Sequence, residues 1–148
     1  MQTVYEAPGI LLSSLLPEHG LVLTRWKELS RHRHFRPCIE KHMKLVERGE
    51  VRLIVIDVSG ATGVPSQEDQ DWFAQTVFPF YGAHRLAALV NVRARSALTN
   101  LGARRWRVNA AGCGVETFEV PSLAGALEVL RERHGVTATE AELATPGW

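Results

Sequence analysis

The chain has 148 residues, 45% of them hydrophobic and 22% charged, the composition of a folded domain with a sizeable core. Seventeen Lys and Arg against 16 Asp and Glu leave a formal charge of +1, so no global field argues for nucleic acid or an anionic membrane surface. No run approaches the roughly 18 apolar residues of a membrane helix, MQTVYEAPG reads as no leader, and the two cysteines, Cys38 and Cys113, make no disulfide framework, so a cytoplasmic protein is expected.

The first predicted element is a hairpin. GILLSSLL (Gly9 to Leu16) and LVLTRW (Leu21 to Trp26) flank Pro17-Glu18-His19-Gly20, where proline starts the turn and glycine takes positive φ. A helix follows from about Pro37 to the stop at Gly49, with Ile39, Met43 and Val46 at helical spacing. Ser30 is an alternative N-cap, but it would place Pro37 inside the helix. Leu53 to Val58 is an apolar run of the kind buried on both faces of a parallel sheet. The turn SGATGVP leads to a helix from Ser66 to about Tyr81. Ser66 and Asp69 resemble a capping box there, and Pro79 should kink or end the helix.

Leu86 to Val92 reads as another buried strand, and Ala97 to about Ala111 as a helix. Val115 to Val120 alternates as a strand. Ser122 to His134 reads as a helix stopped by Gly135, and Thr137 and Glu140 suggest one short helix beyond it. The order is β-β-α-β-α-β-α-β-α. It predicts a single α/β domain over residues 1–135 with a mixed, mostly parallel five-stranded sheet, followed by a peripheral tail over 136–148.

In such sheets, ligands and partners gather at the carboxyl ends of the strands. That places the candidate site between Asp57 and Gln70. Asp57 is either a general base or phosphoacceptor, or, as is more common, the acceptor for amides of the following turn. Ser66 is either a plain N-cap or a regulated serine whose phosphate the helix amides would welcome. His32, His34, Cys38 and His42 are the candidate metal set, with Cys38 and His42 on one helix face. Their spacing matches no standard zinc module, and Arg31, Arg33 and Arg36 would repel a cation. No metal and no cofactor is therefore expected. Arg93, Arg95 and Arg104, with Arg105, Trp106 and Arg107 close by, suggest an anion-facing surface near one sheet end. No phosphate-binding GxGxxG or GxxxxGK[ST] occurs.

Taken in order, several residues resemble a known group: Trp26; Ile56-Asp57 with Ser59-Gly60; Glu68-Asp69-Gln70 with Trp72; Phe78-Pro79; Ala88-Leu89-Val90; Phe118; and Ser122-Leu123 with Ala126-Leu127. The set resembles the STAS/CRAL-TRIO-like proteins related to the sporulation anti-sigma factor antagonists, over about Gly9 to Arg133. The resemblance implies two uses. STAS domains bind regulatory proteins, some through a phosphorylated serine where the loop meets the helix, and CRAL-TRIO domains hold apolar ligands. The phosphorylated pattern is Asp-Ser-(Ser/Thr)-Gly, whereas this chain reads Pro65, Ser66, Gln67, Glu68. The acceptor position falls on Gln67, or on Ser66 with a one-residue slip.

The resulting expectation is a non-enzymatic regulatory module that binds a protein partner through Asp57, Ser59, Gly60, Thr62, Ser66, Gln67 and Glu68, with Arg93, Arg95 and Arg104 beside them. No nucleic acid and no membrane span are expected, and a homodimer is left open. The alternative is a carrier of a small apolar or lipid ligand. It would need a pocket of roughly 300 Å³ or more, and two tryptophans with several phenylalanines are expected to fill that space.

Overall fold

Alternating side chains on the central strands decide the layers. The computed structural model describes residues 1–95, 112–145 and 147–148. Its strands are β1 (Gln2–Ala7), β2 (Leu11–Leu16), β3 (Leu21–Trp26), β4 (Leu53–Asp57), β5 (Ala88–Val92) and β6 (Glu116–Val120). They form one mixed sheet in chain order. β2 pairs antiparallel with both β1 and β3, and β3 to β6 pair in parallel.

The helices are α1 (His32–Glu47), α2 (Gln67–Trp72), α3 (Phe78–Ala83), α4 (Leu123–His134) and α5 (Glu140–Leu143). Ile54, Ile56, Val22 and Leu89 share one core cluster with Phe35, Ile39 and Val46 of α1 and with Phe73, Val77, Phe78 and Tyr81. Leu53, Val55, Leu23 and Val90 share the other with Ala126, Leu127 and Leu130 of α4. Helices thus cover both faces, which is why β4 and β5 read as continuous apolar runs. Residues 136–148, read from sequence as a peripheral tail, place Val136 and Leu143 in that second cluster.

The sheet has six strands, not the expected five. The missed strand, β1, is an edge element, half of it exposed, with an irregularity in register between Thr3 and Tyr5. It therefore carries no period-two signal. The hairpin is present: Gly20 closes its Pro17–His19 turn in the left-handed region, at φ 58°.

α1 begins at His32 rather than about Pro37, and Pro37 lies inside it. Proline removes one intrahelical donor, but Pro37 is exposed, so water can satisfy the freed carbonyl. The first turn is held by its side chains instead. Phe35 is buried, His34 Nδ1 meets Tyr5 Oη at 2.9 Å, and His32 and Arg36 both reach Asp69.

Pro79 does not end its helix. The chain widens into a π turn over Phe73–Val77, where the Phe78 amide donates to the Phe73 carbonyl, and α3 then continues to Ala83. The wider turn relieves the clash that a proline ring makes with a regular helix. Ser122 caps α4 and Gly135 stops it, as the sequence indicates. The short terminal helix is capped by a capping box of Thr139 and Glu142, two residues beyond the expected Thr137 and Glu140. The helix expected over 97–111, with Arg104 and Trp106, lies outside the described residues.

Candidate functional site

The site grows from the carboxyl end of β4. Asp57 Oδ1 accepts hydrogen bonds from the Ser59 amide at 3.0 Å and the Ser59 hydroxyl at 2.6 Å. This is a side-chain turn of the type aspartate favours. Asp57 Oδ2 lies 3.8 Å from Nε of Arg25, its register partner on β3. Oδ1 is thus committed to the turn while Oδ2 has only this longer electrostatic contact, an arrangement that makes Asp57 a turn former.

The rest of the turn is stitched to its neighbours through the backbone. The Val58 amide donates to Val92, the Thr62 amide to Lys27, the Leu29 amide to Thr62, and the Arg95 amide to Ser59 at 3.3 Å. Gly63 adopts φ +74°, and a Cβ there would sit 3.2 Å from the Ser30 side chain. Both the conformation and the close approach call for glycine. Gly60, Thr62, Ser66, Gln67 and Glu68 are exposed on this frame, while Ala61 and Pro65 are buried beneath it.

α2 starts at Ser66, whose Oγ accepts from the Asp69 amide at 3.1 Å. Only that half of the expected capping box forms. The Asp69 carboxylate turns away and is buried, 1% exposed, between the first turns of α1 and α2. Its Oδ2 lies 2.8 Å from His32 Nδ1, and its Oδ1 accepts from Arg36 Nε at 3.0 Å. Arg36 also reaches Glu68 Oε1 at 3.3 Å and lies over the Trp72 ring at 5.1 Å. A charge-assisted clasp therefore fixes the start of α2 against α1. Gln70 Nε2 donates to the Pro65 carbonyl and Gln67 Nε2 to Asp71, which completes the frame. Asp69 falls within the span expected from sequence, but its pairing with His32 and Arg36 was not expected. The signal was the aspartate in place of the usual glutamate, whose shorter side chain is free to take other partners.

The histidines and cysteine weighed as a candidate metal set do not converge. His32 belongs to the Asp69 clasp, and His34 to Tyr5. Cys38 and His42 lie together in the core. There His42 Nε2 is 2.5 Å from Ser13 Oγ and 3.7 Å from Cys38 Sγ. Among the described residues, no group of three or more His, Cys, Asp and Glu can hold a metal ion. Burial lowers the His42 imidazole to a pKa of about 4 and pushes the Cys38 thiol up to about 12. At neutral pH the thiol keeps its proton and the imidazole is neutral, so the pair is no activated nucleophile.

Of the arginines expected beside the site, Arg93 and Arg95 are exposed, and the backbone bond to Ser59 sets Arg95 next to the turn. Arg104 lies outside the described residues. The cavity between the sheet and the α1–α3 layer, lined by residues including Thr24, Ile54, Phe73 and Tyr81, is about 50 Å³. That is far below the roughly 300 Å³ that a drug-sized ligand requires. No helix among the described residues is long and apolar enough to cross a membrane.

No protein family and no curated protein matches the sequence. Among solved structures, the chain is similar to an anti-sigma factor antagonist from Mycobacterium paratuberculosis, with 18% identity and a TM-score of 0.48 over 86% of this chain and 99% of that one.

Proposed function

We propose that the chain is a non-enzymatic, cytoplasmic regulatory module that docks a protein partner through Ser59 to Glu68. One observation carries this reading. Five exposed residues, Gly60, Thr62, Ser66, Gln67 and Glu68, stand on a backbone tied on three sides: to the segment after β3, to the segment after β5, and to the Asp69 clasp. A face ordered before contact loses little conformational freedom on binding. Docking is also the use that the STAS-like residues Asp57, Ser59 and Gly60 imply. Asp57 then builds the turn, Asp69 holds the helix start, and the exposed side chains meet the partner. Arg93 and Arg95 would extend the face with positive charge.

Placing positive charge on this face is the test. Gln67→Arg and Glu68→Arg should each weaken recovery of the partner from extract of the protein's own cells. Stability should change by no more than about 0.5 kcal/mol, the usual scale for surface substitutions. Glu68 is 77% exposed, so loss of its contact with Arg36 should add little to the stability change. Equal recovery by wild type and both variants, measured by quantitative mass spectrometry, would remove this face as the docking site.

A further inference from the structure

A second surface lies at the opposite end of β4. Two adjoining depressions of about 310 and 390 Å³ share Gln2 and Leu15 and form one trough. It runs between β1 and the second half of α1 and reaches Arg52, just before β4. Val4, Leu15 and Leu45 give it an apolar lining. Lys41, Lys44, Arg48 and Arg52 line it as well, with Glu50 the acid among the lining residues. We propose that this trough docks an extended acidic peptide segment of a partner protein.

The cations are held ready for a partner. Lys44 has Glu40 four residues before it and Glu47 three after it, spacings that suit surface ion pairs on a helix. Yet among the described residues Lys44, Arg48 and Arg52 make no ion pair. Among the described residues, Lys41 Nζ bonds to the Val4 carbonyl, at 3.4 Å, and lies 5.5 Å from the centre of the Tyr5 ring. The helix dipole accounts for cations in the last turn of α1, but its effect fades within one turn. It explains neither Lys41 nor Arg52.

Shape and total charge select the occupant. A concave, partly apolar trough suits an extended chain with alternating acidic and apolar side chains better than a flat bilayer. A net charge of +1 provides little long-range attraction for nucleic acid. The trough borders β1, the edge strand of the sheet, and edges of this kind accept extended peptides.

Fluorescence anisotropy with a short fluorescein-labelled peptide of alternating glutamate and leucine tests the proposal on the full chain. The peptide should bind saturably and more weakly at higher salt. A peptide with lysine in place of glutamate should not bind. Lys44→Glu with Arg48→Glu should weaken binding by about tenfold or more, as expected when charge complementarity is reversed, with an unchanged thermal melt. Should that double variant fail to fold, Lys44→Ala with Arg48→Ala should still weaken binding. Backbone chemical-shift changes in the wild type should centre on Lys44, Arg48 and Arg52. Gln67→Arg should bind the peptide normally, which keeps this result separate from the fate of the Ser59 to Glu68 face. Absence of binding, binding indifferent to the charge reversals, or tighter binding of a single-stranded oligonucleotide or of phosphatidylserine vesicles would overturn the proposal.

Discussion

Phe35→Ala should lower the free energy of unfolding by about 3–5 kcal/mol, the range for removing a buried aromatic ring. Phe35 is 1% exposed and joins the first turn of α1 to the rest of the core. Its ring centre lies 5.8 Å from Trp26, 6.4 Å from Trp72 and 6.2 Å from Phe73. It also lines the cavity of about 50 Å³ beneath the helices, so the void left by alanine would join an existing one. The cost of such a substitution rises with residual cavity volume. The total stability of a domain is about 5–15 kcal/mol, so the variant should be marginal. Trp72→Ala should cost less, because Trp72 is only half-buried and one face meets Arg36. Urea denaturation of both variants is the measurement. A loss below about 1 kcal/mol for Phe35→Ala, the average for substitutions at any site, would contradict this account of the core.

Acidification should destabilise the fold through His42. Burial lowers its pKa in the folded chain to about 4, from an ordinary value of 6.5. Between those values the unfolded chain binds the proton and the folded chain does not. Stability from this group is therefore full above about pH 6.5 and lost as pH falls toward about 4. A difference of this size corresponds to about 3 kcal/mol by proton linkage. His42→Gln removes the titrating group and keeps an amide that can meet Ser13. Its unfolding free energy should fall less than that of wild type over the same acid range. Parallel pH dependences for the two proteins would show that His42 does not drive the transition. The exposed carboxylates of Glu28, Glu116 and Glu142, held below their ordinary range mainly by Arg31, Arg133 and the Thr139 amide, are common to both proteins and cancel in the comparison.

The parts of the fold that sequence makes legible are those in which local pattern and tertiary burial agree. β4 and β5 are apolar runs because helices cover both their faces. α4 carries its own N-cap serine and its own stopping glycine. β1 is not legible because its pairing partner, not its own pattern, makes it a strand. The start of α1 is obscured by Pro37, since proline propensity is a local cost that Phe35 burial and the Asp69 clasp outweigh. The candidate site divides in the same way. Asp57, Ser59 and Ser66 are readable from turn and cap chemistry. His32 and Arg36 reach Asp69 across 37 and 33 residues of sequence, a distance at which spacing carries no information. His42 sits at helical spacing from Cys38 and suggests a ligand pair, but only the fold shows the imidazole beside Ser13 on a neighbouring strand.

The central claim is that the preorganised face from Ser59 to Glu68 is the docking surface. Amide hydrogen exchange of the chain, free and bound to its recovered partner, tests it most directly because exchange reports protection segment by segment. The account predicts that binding slows exchange in the segment from Ser59 to Asp71 and leaves α4 unchanged. Protection confined to α4 and β6, with the Ser59 to Asp71 segment unaltered, would contradict it.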